Sequence, residues 1–360
     1  MTPLILQTAF LGMSLGTAPK SQVFETQHHY QSQREFKVLS FNVQNLFDTI
    51  DSPDTKDEKY TPSGDEAWTT QILNDKLKNL ARVIQRSDAD IIGLVEIENK
   101  EVVAMLRAQL GSTKFRYSVT GPSEDSRGIR NAVISKFPIK SAVSHRVSKL
   151  VTKTGGRRPF KTRDILEVGV EIPSPTKKIV QLLVNHWPAR IGDTAWYRGA
   201  IADYMAELKD ELLSEGNDLV ISLGDFNDEY RDPSIQDNLS VAENYDRYLN
   251  HHQSDFFVAN SEISNLDPKN RGTYYFKGGN EWREFDMIFV AQSYWSKKRY
   301  RKSFHFKKGS FRVLQHEYRY SGTDSPIGCS KHQRRHAGDQ KTCKKGASDH
   351  WPIVATFQYK

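Results

Sequence analysis

Apolar residues recur along this chain in two rhythms, and the switches between them mark out the elements. Ile72, Leu73, Leu77, Leu80, Val83 and Ile84 fall at helical spacing, which predicts an amphipathic helix over 69–86. Short continuous apolar runs read instead as buried strands, at 36–42, 91–97, 165–172, 179–185 and 219–223. A second helix is predicted over 101–110, and further strands near 115–120 and 131–135. Pro173, Ser174 and Pro175 separate two of the strands, so that pair is expected to form a hairpin with antiparallel pairing. A long helix over 194–214 places Trp196, Ala200, Tyr204, Leu208 and Leu212 at spacings of four on one predicted face. Hairpins mixed with crossover helices imply two packed mixed sheets with helices outside.

Several apolar runs end in a lone charge. LGDFN at 223–227, EFDMIFVA at 284–291 and SDHW at 348–351 carry Asp225, Asp286, Asp349 and His350. Desolvating an unpaired carboxylate costs several kcal/mol unless a metal, a cation or hydrogen-bond donors compensate it, so these acids need a shared reason. A metal-assisted phosphodiesterase centre supplies one, with its other half in FNVQN at 41–45 and VEIEN at 95–99. Phosphodiester hydrolysis needs charge neutralisation, an oriented water and a stabilised leaving oxygen. Glu96 follows its strand as a hard oxygen ligand of the kind Mg²⁺ prefers. Asp225 and Asn227 stand at alternate positions and face one way. The acid can accept a proton, and the amide can meet an anion without adding charge. Arg163, Arg190 and Arg198 lie near strand ends and read either as bidentate phosphate clamps or as salt-bridge residues.

Read in order, FNVQNLFD, GLVEIEN, NHWPAR, LGDFND, EFDMIF and ASDHWPIVATF resemble the successive signatures of the endonuclease/exonuclease/phosphatase superfamily, over 36–357. The resemblance implies an α/β fold, a four-layer sandwich of two packed mixed β-sheets flanked by helices. It implies metal binding by Glu96, Asn42 and Asp349, with Mg²⁺ as the cofactor and Mn²⁺ or Ca²⁺ as alternatives. It gives Asp225 the attacking water and Asn227 the phosphate, and it pairs Asp286 with His350. His186, in NHWPAR, resembles a second histidine whose usual glutamate partner is replaced here by Arg130. General acid and phosphate ligand both stay open for it. Gln44 stands where several relatives carry a metal-binding acid, which leaves the metal count open. Glu98 is read as structural and Asp228 as a surface residue.

Charge changes the picture locally. The whole chain carries +7, yet the stretch 297–345 alone holds 15 Lys and Arg against 3 acidic residues, so the remainder is net acidic. That stretch, with Arg334, Arg335, Lys344 and Lys345, reads as a phosphate-backbone footprint or as a solvated loop. Cys329 and Cys343 lie inside it and are expected to form a disulfide, although His332 and His336 between them make a Cys/His metal site conceivable. A disulfide requires an oxidising compartment. The apolar run at 4–18 ends in Gly16, Thr17 and Ala18, in the manner of a signal segment, although no Lys or Arg precedes it and Pro19 follows. No apolar run reaches the roughly 18 residues of a membrane span.

Residues 1–35 are therefore expected to be a leader, and 36–360 one domain with a basic insertion at about 297–345. The expected function is that of a secreted or periplasmic, monomeric, Mg²⁺-dependent endonuclease of low specificity, with DNA as partner. A phospholipid- or phosphomonoester-cleaving hydrolase of the same fold is the alternative, and an inactive nucleic-acid-binding protein the second.

Overall fold

The structure, a computed structural model, describes residues 35–147, 162–174, 177–251, 256–263, 271–276, 278–292, 304–315 and 347–359. The chain builds half of one sheet first, with β1 (Glu35–Leu46), β2 (Ile91–Ile97), β3 (Tyr117–Thr120) and β4 (Arg130–Ser135). It then crosses to a second sheet through β5 (Ile139–His145), β6 (Ile165–Glu171), β7 (Ile179–His186), β8 (Leu219–Asp225), β9 (Val241–Ala242) and β10 (Phe256–Val258). A small hairpin of β11 (Tyr274–Phe276) and β12 (Glu281–Arg283) follows, and β13 (Asp286–Gln292) returns to the second sheet. The chain closes on the first sheet with β14 (His305–Phe306), β15 (Arg312–Val313) and β16 (Ile353–Gln358). Strand order is β14-β16-β1-β2-β4-β3 in one sheet, with β15 also on β16, and β5-β6-β7-β8-β13-β10-β9 in the other. Both are mixed, as the hairpins and crossovers predicted; β6 and β7 pair antiparallel, whereas β1 with β2 and β7 with β8 run parallel.

Alternation along the strands assigns each face. Leu182 and Val184 of β7 join Leu219, Ile221 and Leu223 of β8 and Ile288 of β13 in the core between the sheets. Their neighbours Leu183, Val220, Met287 and Phe289 point the other way, into a second core beneath a helix. Gly93 in β2 lets the sheets approach, since a methyl group there would sit 2.3 Å from the Leu223 side chain.

Helix α1 (Thr70–Ser87) starts where Thr69 accepts a hydrogen bond from the Ile72 amide, and α2 (Lys100–Leu110) where Asn99 does the same for Val102. The long helix α3 (Ala195–Ser214) corrects its predicted face: Tyr197, Ile201, Met205, Leu208 and Leu212 are buried, and Trp196, Ala200 and Tyr204 are half-exposed. A spacing of four drifts around a helix of 3.6 residues per turn, so the true stripe lies about one residue away. A short helix α4 (Tyr245–His251) precedes β10.

Two further expectations change. Glu35 belongs to β1, where its carboxylate accepts from Gln358 and Lys307. Residues 304–315 of the expected basic insertion are part of the first sheet, with Phe304, Phe306, Phe311 and Val313 buried in its core. The remainder of that insertion, and residues 1–34, lie outside the described residues.

One glycine is indispensable to the sheet edge that carries the chemistry. Gly224 has φ +143, and an added methyl group would lie 1.8 Å from the Asn185 carbonyl oxygen on β7. Gly224→Ala is expected to destabilise the fold by on the order of 3 kcal/mol. Urea unfolding checks this, and an unchanged midpoint would contradict the packing described.

Candidate active site

Parallel strands end together, and that brings the polar residues to one edge. Asn42 lies opposite Val95 across β1 and β2, so Asn42 and Glu96 leave adjacent strand ends. His186 lies opposite Asp225 across β7 and β8, and antiparallel β13 begins with Asp286 opposite Asp225. His350 precedes β16, which runs antiparallel to β1, so it arrives at the same edge. The two sheets are tied there by Asn42, whose Nδ2 donates to Glu96 Oε1 at 3.2 Å and to Asp225 Oδ2 at 2.9 Å.

The backbone is bent to aim these groups. Gln44, Asn45, Glu96 and Asn227 all have φ between 50 and 64. Such values are uncommon outside glycine, and for Glu96 they sit in an irregularity of the pairing of β2 with β4. Strain of this kind collects at functional edges and is held by surrounding bonds. Here the Gln44 amide donates to Asn42 Oδ1 at 2.9 Å, the Asn45 amide to Glu96 Oε2 at 2.8 Å, and the Asn227 amide to Asp225 Oδ1 at 2.9 Å.

Two histidines flank the acids in different charge states. His350 Nδ1 lies 2.7 Å from Asp286 Oδ2, and its Nε2 lies 3.8 Å from Asp225 Oδ2. Burial alone would depress this imidazole, but Asp286 and Asp225 reverse the effect and push it up to about 10, so it is a cation at neutral pH. His186 Nε2 stands 3.9 Å from Glu96 Oε1 and 3.7 Å from Asp225 Oδ2, while its Nδ1 is buried without a hydrogen-bond partner. Burial, with the cations Arg163, Arg127 and His350, holds His186 well below the usual histidine range. It is therefore neutral, and a cationic grip on phosphate is not available from it. As expected, the strand that carries Arg130 offers this histidine no acid; Glu96 and Asp225 stand on its Nε2 side, beyond hydrogen-bond distance. Burial also pushes the Asp225 carboxyl up to about 7, against the pull of His350.

The donor set suits a hard cation. Glu96, Asn42 and Asp225 present only oxygen and amide groups within one hydrogen-bonded cluster, and Asp286 Oδ1 and Asn45 Oδ1 are buried oxygens without hydrogen-bond partners. Asp349 is half-buried beside His350, close enough to Lys76 to hold that ammonium charged. A separate group of acids, Asp51, Asp57 and Glu58, brings its oxygens within 4.8 Å of one another in the loop after β1. Glu98 belongs with this loop. It is buried, accepts from the Asp48 amide at 2.6 Å, and is pushed up to about 8 by burial, against the pull of that amide and with the Asp48 and Asp57 carboxylates adding to the rise.

The arginines require correction. Arg163 is 6% exposed and donates to the His186 and Trp187 carbonyls at 3.1 and 2.6 Å, so it braces the β7 end and cannot clamp phosphate. Arg198 is equally buried; its Nε pairs with Asp228 at 2.7 Å and another nitrogen donates to Pro188 O and Thr194 Oγ1. Arg190 donates to the Asn227 carbonyl at 2.8 Å and pairs with Asp228 and Asp232, holding the loop after β8. Asp228, read as a surface residue, is buried beneath these pairs and accepts from Ser234. Asn227 is at the edge, with one amide hydrogen already given to Trp187 O, which leaves one for an oxygen of a ligand. Arg334, Arg335, Lys344, Lys345, Cys329 and Cys343 lie outside the described residues.

Three contributors escaped the sequence reading. Lys76 is 1% exposed; its Nζ donates to Ala347 O at 2.8 Å, and burial lowers it to about 8 while Asp349 and Glu96 work to keep it charged. Its signal was a lysine among Leu73, Leu77 and Leu80 on the apolar stripe of α1. Ser348 donates to Asn42 O at 2.6 Å and accepts from the His350 amide at 3.1 Å, which pins the SDH segment to β1. Tyr274 of β11 bridges to His350 in β fashion, with ring centroids 4.8 Å apart.

Two mixed sheets packed face to face, with carboxylates, amides and imidazoles at one shared edge, place the chain among the α/β-sandwich hydrolases. It belongs to the Endonuclease/Exonuclease/phosphatase family, whose match runs over residues 37–359. Members of this family are phosphoester hydrolases. An endonuclease/exonuclease/phosphatase family protein from Bacteroides thetaiotaomicron is similar in structure at 18% identity and TM-score 0.56, covering 91% of this chain and 95% of that one. A mannosyl-6-phosphatase of the same organism is similar at 18% identity and TM-score 0.56, covering 90% and 100%. D. rerio TDP2 complexed with a single-strand DNA product is similar at 13% identity and TM-score 0.53, covering 90% and 99%. No curated protein matches the chain in sequence. No helix among the described residues is long and apolar enough to cross a membrane.

Proposed function

We propose that this protein is a metal-dependent phosphodiesterase that cleaves DNA with little sequence preference, acting as an exported monomer. The observation that carries the reading is the Asp286–His350 pair facing Asp225. It sets a fixed imidazolium 3.8 Å from a carboxylate whose own proton is loosely held near neutrality. Asp225 takes the proton of the attacking water, whose oxygen bonds to phosphorus as the P–O bond opposite it breaks, and the leaving oxygen takes a proton from solvent. His350, already protonated and oriented by Asp286, donates to a non-bridging phosphate oxygen, and the remaining Asn227 amide hydrogen takes another. Bound between Glu96, Asn42 and Asp349, a divalent cation would neutralise charge on the phosphate, with Mg²⁺ best suited to oxygen donors. DNA is favoured by the basic stretch at 297–345 and by the likeness to the TDP2 fold that holds a DNA product.

The test is incubation of the purified chain with plasmid, single-stranded DNA, RNA, sphingomyelin and mannose 6-phosphate, each with Mg²⁺ or with chelator. Cleavage of DNA in Mg²⁺ and none in chelator is expected. Turnover of mannose 6-phosphate alone would replace this reading with a monoesterase. The sphingomyelin arm has its own motive: hairpin β11–β12, absent from the sequence reading, leaves Phe276 exposed at 43%.

A further inference from the structure

The turn that leads into β4 brings a cation to the centre that the catalytic scheme above does not use. The Asp125 amide donates to Ser123 Oγ at 3.0 Å, the Arg127 amide to Asp125 Oδ1 at 2.9 Å, and the Gly128 amide to Asp125 O at 2.9 Å. From outside, the Lys56 amide donates to Ser126 O at 2.7 Å. The turn is thus fixed from both sides, and Asp125, its side chain 9% exposed, sits at its hub.

One carboxylate there serves two guanidinium groups. Arg163 Nη1 reaches Asp125 Oδ2 at 3.0 Å, and Arg127 Nε reaches Asp125 Oδ1 at 3.2 Å. The trio is therefore left with one uncompensated positive charge. Exposure decides which arginine can offer it: the Arg163 side chain is 6% exposed and committed to two backbone carbonyls and to Asp125, whereas the Arg127 side chain is 37% exposed. Arg127 also acts on the centre electrostatically. Burial works against its charge, yet Glu96 and Asp125 raise its pKa, and its charge helps to keep His186 neutral. Through Asp125 and Arg163, which donates to the His186 carbonyl at 3.1 Å, the part-exposed Arg127 guanidinium is tied to the end of β7 that carries His186.

We propose that Arg127 is a substrate-binding residue, whose guanidinium takes a non-bridging phosphate oxygen on the His186 side of the centre. Asp125 is its positioning residue: it already engages the Nε and Nη2 edge, at 3.2 and 3.4 Å, and so holds the guanidinium in place for a contact from its remaining N–H groups. The proposal rests on the phosphoester reading of the site and extends it by naming the group that meets the substrate's charge opposite His350.

The experiment compares wild type, Arg127→Gln and Arg127→Lys in the full chain, with bis(p-nitrophenyl) phosphate as substrate and inorganic phosphate as ligand. Loss of one charge-assisted contact should raise KM, and weaken phosphate binding followed by calorimetry, by about 10- to 100-fold in Arg127→Gln. Arg127→Lys should recover part of both, because charge survives while the fork geometry does not. Divalent-metal affinity, measured by titration without substrate, should stay within about threefold of wild type for both variants, since neither removes a ligand. Unchanged KM and phosphate affinity in Arg127→Gln would overturn the proposal, as would parallel loss of metal affinity, which marks a structural role. If wild type turns over no phosphoester, the functional reading fails, and the phosphate titration still decides the role of Arg127.

Discussion

Asp225→Asn is expected to lower kcat by about 10² to 10⁴, the range typical of a lost general base. The amide keeps the shape of the carboxylate but can accept from only one of Asn42 Nδ2 and the Asn227 amide, its own NH2 then facing the other donor, so a modest fall in the thermal midpoint should accompany the loss of rate. His350→Ala should fall in the same range, since it removes the cation that Asp286 holds at 2.7 Å. The pH dependence separates the two. Asp225 acts without its proton, and burial pushes its pKa up to about 7, so activity should rise as pH climbs through neutrality. His350, pushed up to about 10, keeps its proton over that whole interval and contributes no limb there. Asp225→Asn should therefore flatten the rise, and a bound divalent cation, by favouring the carboxylate, should move it to lower pH. Losses below about tenfold at saturating DNA would show that the pair is misassigned.

The second large effect concerns Glu96. Glu96→Gln removes one negative charge from the oxygen cluster and preserves an acceptor for only one of the Asn45 amide and Asn42 Nδ2, which donate to different Glu96 oxygens. Divalent-metal affinity should fall by about 10- to 100-fold or more, and cleavage should become undetectable at millimolar Mg²⁺. Chelation of wild type should have the same consequence, reversed on adding metal back. Calorimetric titration of Mn²⁺ into the variant checks the first part without reference to activity, and wild-type affinity there would remove Glu96 from the metal site.

Much of the architecture was legible because buried strands leave plain signals. Runs such as LVISLG and IIGLV are apolar on both faces, as strands between two cores must be. Strand β5 escaped because it is an edge, largely exposed, with no apolar rhythm to read in IKSAVSH. The six signatures located the acids and histidines, since each stands at a strand end where charge interrupts an apolar run. What they could not convey was which cations face ligand and which face protein. Arg163, Arg190 and Arg198 look alike in sequence, yet each is bound to carbonyls or to buried aspartates that only the tertiary structure brings near. Arg127 sits in a turn with no periodicity, and its orientation depends on Asp125, itself fixed by Arg163 some distance along the chain. Lys76 was visible as a charge on an apolar stripe, and its meaning depended on Ala347 and Asp349, brought in from the far end of the chain.

The proposed activity of this strand edge is hydrolysis of phosphodiester bonds in DNA with a divalent cation. A plasmid relaxation time course tests it most directly, run in Mg²⁺, in chelator, and in chelator followed by excess Mg²⁺, with Asp225→Asn alongside. Nicked circles are expected in the first sample, intact supercoils in the second, nicking restored in the third, and no nicking by the variant. Nicking that persists in chelator, or that the variant performs at the wild-type rate, would contradict it.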